Sequence, residues 1–304
     1  MSAARPLPWL RALRPSQWTK NLIVLAACGF ALGDKQQHVD VRLVFAAVQA
    51  ALAFCLITSG IYLINDVRDI ALARVHPTKR FRPVAAGEMS PAAALGLAAA
   101  LLVAGLAWCA WLAWPLLVIA GLYVLMQCVY TLGLKRVALL DVFVIAGGFV
   151  LRALAGGAAV HVPRSPWLVL CTMLLALFLA LCKRRHEKIM LGRAEKTDPV
   201  TRHSLAQYDE RLLDQLIAIV SGATLVCYAL YTLWPDTVHK FGTDRLVYTV
   251  PFVIFGLFRY LDLVYRHERG DRPEHLLLSD WPLLLDIALY GATVLILLFL
   301  ARAA

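Results

Sequence analysis

Residues 41–69 read VRLVFAAVQAALAFCLITSGIYLINDVRD, an apolar run broken only by Arg42, Gln49, Thr58 and Ser59 before it stops abruptly at Asn65, Asp66, Arg68 and Asp69. A helix rises 1.5 Å per residue, so positions 41–64 reach about 36 Å, enough to cross a hydrocarbon layer about 30 Å thick. Eight more runs of similar character follow the same logic. The nine expected spans fall near 17–33, 41–64, 92–113, 115–133, 138–157, 166–182, 212–233, 247–264 and 282–301. The first is the shortest, with its uninterrupted apolar stretch confined to Leu22–Leu32.

Composition agrees. Of the 304 residues 61% are hydrophobic and 16% charged, with mean hydropathy +0.69; soluble domains run about 45–50% apolar and about 25% charged. The chain therefore reads as an all-α polytopic membrane protein, a single domain over residues 1–304. Its net charge of +10 could address nucleic acid, but the basic residues lie in the gaps between apolar runs. That placement suits membrane lipids and anionic substrates, and no nucleic-acid partner is expected. The seven cysteines include no C-x-x-C pair and read as buried thiols.

The positive-inside rule orients the nine spans. With the N-terminus inside, 22 of the 30 Lys and Arg fall on the cytoplasmic side and six on the other, while Arg152 and Arg259 lie within spans. The expectation is N-in, C-out, with cytoplasmic segments near 65–91, 133–138, 183–211 and 265–281.

Chemistry concentrates where span two ends. Asp66 and Asp69 are three apart, so on a helix their carboxylates share a face and can share a divalent ion, with Asn65 adding a neutral oxygen. Hard oxygen donors without His or Cys favour Mg²⁺, usually completed by substrate phosphates. Downstream come Arg74, His76, Pro77, Lys79, Arg80, Arg82 and Pro83; Lys79, Arg80 and Arg82 offer cations to those phosphates. A loop that merely obeys the positive-inside rule would explain the bases, but not two acids abutting an apolar span. The local reading is a metal-bound diphosphate, with the reaction left open.

A second charged patch, Lys183-Arg184-Arg185-His186-Glu187-Lys188, follows span six. On a continuing helix Lys183 and Arg184 share a face with Glu187 and could grip a phosphate while Glu187 shapes the metal or sugar hydroxyls. Lys20 and Asn21, at the apolar edge beside Trp18, could meet a lipid phosphate. Tyr130, Lys135 and Arg136 follow span four, Asp141 opens span five, and Arg152 within it is expected to face a polar cavity or a buried acid. Paired glycines at 147–148 and 156–157 would allow close helix packing, and Arg259 and Asp262 are expected to pair with each other.

These motifs, Arg14-Pro-x-Gln-Trp-x-Lys-Asn21, Asn65-Asp-Val-Arg-Asp69, His76-Pro-Thr-Lys-Arg-Phe-Arg-Pro83 and Lys183-Arg-Arg-x-Glu187, resemble the UbiA superfamily of membrane prenyltransferases, and within it the decaprenyl-phosphate phosphoribosyltransferase branch. The resemblance implies nine transmembrane helices around a central cavity, in a bacterial-type inner membrane with the active site at the cytoplasmic face. It implies Mg²⁺-dependent transfer of the 5-phosphoribosyl group from phosphoribosyl diphosphate to a polyprenyl phosphate. Asp66, Asp69 and Glu187 would be catalytic, the two aspartates also binding metal. Lys20, Asn21, Asn65, Arg74, Lys79, Arg80, Arg82, Tyr130, Lys135, Arg152, Lys183 and Arg184 would bind substrate.

The chain departs from the superfamily pattern N-D-x-x-D-x-x-x-D at Ala73, where a third acid would stand. Two other readings compete. One moves a polyprenyl group from its diphosphate to an aromatic acceptor; Asp66 and Asp69 serve it equally, while the basic second motif favours a donor with an extra phosphate. The other, an anion transporter, predicts charges along a path through the membrane, whereas here they gather at one face. A homo-oligomer is left open.

Overall fold

The structure is a computed structural model that describes residues 7–34, 41–75, 78–161, 165–193, 205, 207–266, 276 and 279–303. Among them every regular element is helical. The helices are α1 (Pro8–Ala12), α2 (Ala26–Gly33), α3 (Val41–Arg68), α4 (Ile70–Val75), α5 (Pro91–Leu112), α6 (Trp114–Leu132), α7 (Leu140–Ala159), α8 (Pro166–Arg193), α9 (Glu210–Leu233), α10 (Pro235–Phe241), α11 (Val250–Tyr265) and α12 (Trp281–Ala303). Short 3₁₀ segments occupy Lys79–Phe81, Leu134–Arg136 and Arg245–Thr249, and a longer one runs Pro15–Leu25.

Among the described residues eight helices, α3, α5 to α9, α11 with its preceding turn, and α12, are long and apolar enough to cross a membrane. They match eight of the nine expected spans. The remaining one, expected at 17–33, is helical throughout but in two pieces, the 3₁₀ segment Pro15–Leu25 and then α2. Two helices outrun their apolar stretches: α3 continues to Arg68 and α8 to Arg193, because turns of charged residues stay helical after the hydropathy signal stops. The charged stretch from 183 is therefore helix as far as Arg193, as the reading of Lys183, Arg184 and Glu187 on a continuing helix requires. His76, Pro77, Lys196, Arg202, Arg269 and Arg272 lie outside the described residues.

Start signals are conventional. Ser90 caps α5, its hydroxyl accepting from the Ala93 N–H at 3.2 Å, with Pro91 at the first helical position. Ser165 accepts from Leu168 N ahead of Pro166 in α8. Large apolar side chains such as Trp111, Leu125, Ile219, Phe258 and Phe299 point outward, as lipid-facing surfaces do.

The chain divides into two compact units. The first comprises Met1–Cys28, Val41–Gly133 and Leu151–Val162; the second Gly29–Asp40, Leu134–Val150 and Pro163–Ala304. In the first, Phe54, Ile57, Ile61, Leu116 and Tyr123 form the core with a floor of alanines. Small residues bring its helices close: a Cβ added at Gly105 would lie 3.1 Å from Ala53 O, and one at Gly60 3.0 Å from Ala98 O. In the second, Phe178, Leu181, Leu213, Ile217, Leu257 and Leu263 are the packed centre.

At Gly156 of the first unit an added Cβ would collide with the backbone oxygen of Val24. Only glycine fits, as the close packing expected of the pair at 156–157 requires. Gly156→Ala is expected to cost about 1–3 kcal/mol and lower the thermal unfolding midpoint in detergent. Gly96→Ala, whose Cβ would meet nothing within 4 Å, should leave the midpoint unchanged or slightly raised. A wild-type midpoint for Gly156→Ala would contradict this packing.

Candidate active site

Asp66 sits in the last turn of α3, only 3% exposed, so its carboxylate needs partners. Two guanidiniums supply them on the same oxygen: Arg82 Nη1 donates to Oδ1 at 2.9 Å, and Arg14 Nη2 donates to it as well. Arg82 reaches in from the loop after the Lys79–Phe81 turn. Arg14 comes from the residue preceding the Pro15–Leu25 segment, held in the left-handed region at φ 53° with its guanidinium 5.0 Å from the Tyr62 ring centroid. Burial lowers the Arg82 pKa, the nearby Arg14 charge lowers it further, and Asp66 opposes both.

The rest of the first motif arranges itself around this centre. The helical path continues past the end of α3, since Asp69 N donates to Asn65 O and Ala73 N to Asp69 O. Asp66 and Asp69 are thus one turn apart, as the spacing demanded. Asn65 Oδ1 accepts from Thr131 Oγ1 at 2.5 Å. Ala73, where a third acid would stand, is 2% exposed.

A cavity of about 380 Å³ opens beside Asp66, lined by Arg11, Arg14, Asp66, Thr78 and Arg82 with neighbouring apolar and small residues. Arg11 is already engaged, donating to Glu88 and to Phe81 O, each at 2.7 Å. Lys79 and Arg80 lie outside the lining; Arg80 is exposed and rests on the Phe81 ring. Arg74 is exposed on α4.

Deeper in this unit Arg152 is buried. Its Nε donates to Asn21 Oδ1 at 2.9 Å and its Nη2 to the Tyr123 hydroxyl at 2.6 Å, with the guanidinium over the Tyr123 ring. An amide and a phenol are thus among its partners. Asn21 in turn donates to Thr58 Oγ1, and Lys20 donates to Gln17. Tyr130 is half-buried in the last turn of α6.

In the second unit Arg184 and Asp141 form an ion pair with almost no exposure, 2% and 0%. Arg184 Nε donates to Asp141 Oδ2 at 2.7 Å, while its Nη1 donates to Glu187 Oε2 at 2.5 Å. Asp141 also accepts from the Tyr208 hydroxyl at 2.7 Å and from Val142 N. Arg184 and Glu187 share a helix face, as their spacing implies, and Arg184 donates to both Asp141 and Glu187, which orients Glu187. The same Tyr208 hydroxyl accepts from Leu139 N, and Gln207 bonds Ala138 N and Arg136 O, so this strand of chain clamps the turn carrying Lys135 and Arg136. Burial, and next the bond to Asp141, push the Tyr208 pKa up. Lys183 is half-buried beside Arg184 on α8. Arg259 does pair with Asp262, and it also grips Asp280 through two nitrogens.

Sequence reasoning left Arg14 without a role and missed Arg11, Tyr123 and Tyr208 altogether. Only Arg14 had a local signal, as a cation beside Pro15 at the edge of an apolar run. As a test of metal fit, among the described residues no three His, Cys, Asp or Glu side chains group closely enough to hold an ion alone. Two carboxylates one turn apart suit a cation that keeps waters and takes its remaining ligands from substrate phosphates, as Mg²⁺ does.

Among the described residues, eight apolar helices, with a carboxylate–arginine centre at the end of one of them, define a multi-pass membrane protein. The chain belongs to the UbiA prenyltransferase family, whose model matches residues 21–279. It is 38% identical over 278 residues, 89% of this chain and 86% of the relative, to a decaprenyl-phosphate phosphoribosyltransferase of Mycolicibacterium smegmatis. It is 36% identical to the protein of that name from Mycobacterium tuberculosis, covering 94% and 92% of the two chains. Among solved structures it resembles a UbiA homologue from Archaeoglobus fulgidus bound to GPP and Mg²⁺, with TM-score 0.72, 18% identity and coverage of 98% and 100%.

The buried pair in the second unit yields a stability test. Arg184→Met leaves Asp141 buried without its cation and is expected to cost about 3–5 kcal/mol; Tyr208→Phe, which removes one donor, should cost about 1–3 kcal/mol. Thermal unfolding in detergent should rank them in that order, and an unchanged midpoint for Arg184→Met would contradict the pairing.

Proposed function

We propose that this protein transfers the 5-phosphoribosyl group from phosphoribosyl diphosphate to a polyprenyl phosphate of decaprenyl type, releasing diphosphate. The observation that carries this reading is the likeness, along nearly the whole chain, to relatives named for that activity. The residues agree with it. The second motif, Lys183-Arg-Arg-His-Glu187, is basic, which suits a donor carrying a further phosphate. The protein acts as a single membrane domain whose family match runs through both units, with nine membrane crossings, N-in and C-out, and its active site at the cytoplasmic face of the plasma membrane.

Asp66 and Asp69 would hold a divalent ion, Mg²⁺ by the hardness of their oxygens, and bound there it would neutralise charge on the leaving diphosphate. Arg82, with Lys79, Arg80 and Arg74 on the adjoining loop and helix, draws the same charge, easing departure of diphosphate from C1 of the ribose. A lipid phosphate is anionic at neutral pH and attacks C1 without a general base. Lys20 and Asn21, at the apolar edge, meet that phosphate; Arg152 holds the Asn21 amide from behind and is itself bonded to the Tyr123 hydroxyl. Glu187, oriented by Arg184, and Lys183 serve the donor's hydroxyls and 5-phosphate. Lys135 and Tyr130 add contacts at the ends of their elements.

The test is transfer itself. Purified protein in detergent, given polyprenyl phosphate, Mg²⁺ and phosphoribosyl diphosphate labelled in the ribose, is expected to move label into the organic phase, and a chelator should stop it. Absence of transfer while a prenyl diphosphate is consumed with an aromatic acceptor would overturn the proposal in favour of prenyl transfer.

A further inference from the structure

Two guanidiniums ending on one carboxylate oxygen are more cation than Asp66 requires. Arg14 and Arg82 both donate to Oδ1, and each keeps part of its side chain open, 21% and 30% exposed. Both line the 380 Å³ cavity beside the carboxylate. Arg11, the third arginine there, is tied to Glu88 and Phe81 O. Arg14 carries a further mark: a non-glycine residue at φ 53° costs backbone energy, and such residues gather at functional positions. Its stacking on Tyr62 would hold the guanidinium in place if its hydrogen bonds turned from Asp66 into the cavity.

A divalent ion approaching Asp66 alone meets those two positive charges first. A diphosphate approaching alone must take the arginines and leave a buried carboxylate unpaired. Arriving together, the metal replaces the arginines on Asp66 and the phosphates replace Asp66 on the arginines, so every charge stays matched.

We infer that Arg14 and Arg82 are exchangeable counter-ions of Asp66, released to the phosphates of a diphosphate donor as Asp66 is released to metal, so that metal and diphosphate bind cooperatively. This rests on the reading of Asp66 as a metal ligand. It makes Arg14 a donor-binding residue, and it makes the site resistant to metal without donor.

The experiment uses the full chain in detergent and two probes, Mn²⁺ alone and preformed Mn²⁺–diphosphate, with binding followed by calorimetry. Wild type is expected to hold the complex at least about tenfold more tightly than Mn²⁺ alone. Arg14→Gln and Arg82→Gln should each tighten Mn²⁺ alone by about fivefold and weaken the complex by a similar factor. Asp66→Asn should lose Mn²⁺ alone and much of the complex. Equal wild-type affinity for the two probes, or glutamine variants no tighter than wild type for Mn²⁺ alone, would overturn the exchange while leaving the metal assignment intact provided Asp66→Asn still loses Mn²⁺. Binding of both probes indifferent to Asp66→Asn would overturn the metal reading and the exchange together. The wild-type comparison needs no variant to fold.

Discussion

A carboxylate 3% exposed at the end of a 28-residue apolar helix has to be met by cations, and the first unit is organised around meeting Asp66. The chain spends an arginine from each side of it in sequence. Arg14 precedes an 11-residue 3₁₀ segment, long for that geometry, and Arg82 directly follows the Lys79–Phe81 turn. Ser59 accepts from Trp18 Nε1 and donates to Leu13 O, fixing the start of the segment to α3, while Gly156 admits its Val24 backbone at the other end. The packing that seats the 3₁₀ segment is therefore the packing that delivers Arg14.

The second unit answers the same constraint differently. Asp141 and Arg184 are buried almost completely, and a buried ion pair is tolerated only when its remaining hydrogen-bonding capacity is met. Tyr208, Val142 N and Glu187 meet it. The consequence reaches the surface at two points, Glu187 on α8 and the turn bearing Lys135 and Arg136. Buried charge here gives orientation to side chains that the sequence offers for chemistry.

The spans were legible because hydrocarbon demands long apolar runs. The expected 92–113 and 115–133 became Pro91–Leu112 and Trp114–Leu132, their starts marked by proline. What hydropathy could not reveal was where helix ends beyond the membrane edge, as in Lys183–Arg193, or the 3₁₀ geometry of Pro15–Leu25, which opens on Arg14 in the left-handed region without a side-chain cap. Within the site, Asp66 and Asp69 announced themselves as acids against an apolar span. Their partners did not: Arg14 is 52 positions from Asp66, and Asp141 is 43 from Arg184. Such pairings are products of the fold, and no local spacing encodes them.

The account depends most on the Asp66 carboxylate being needed for turnover rather than for folding. The direct measurement is phosphoribosyl transfer by Asp66→Asn beside its thermal unfolding midpoint and elution from size-exclusion in the same detergent. The account predicts a loss of turnover of about a hundredfold or more, the loss of about 2.7 kcal/mol or more of transition-state stabilisation, in a protein that still elutes and unfolds as a folded species. Near-normal turnover in the folded variant would contradict it.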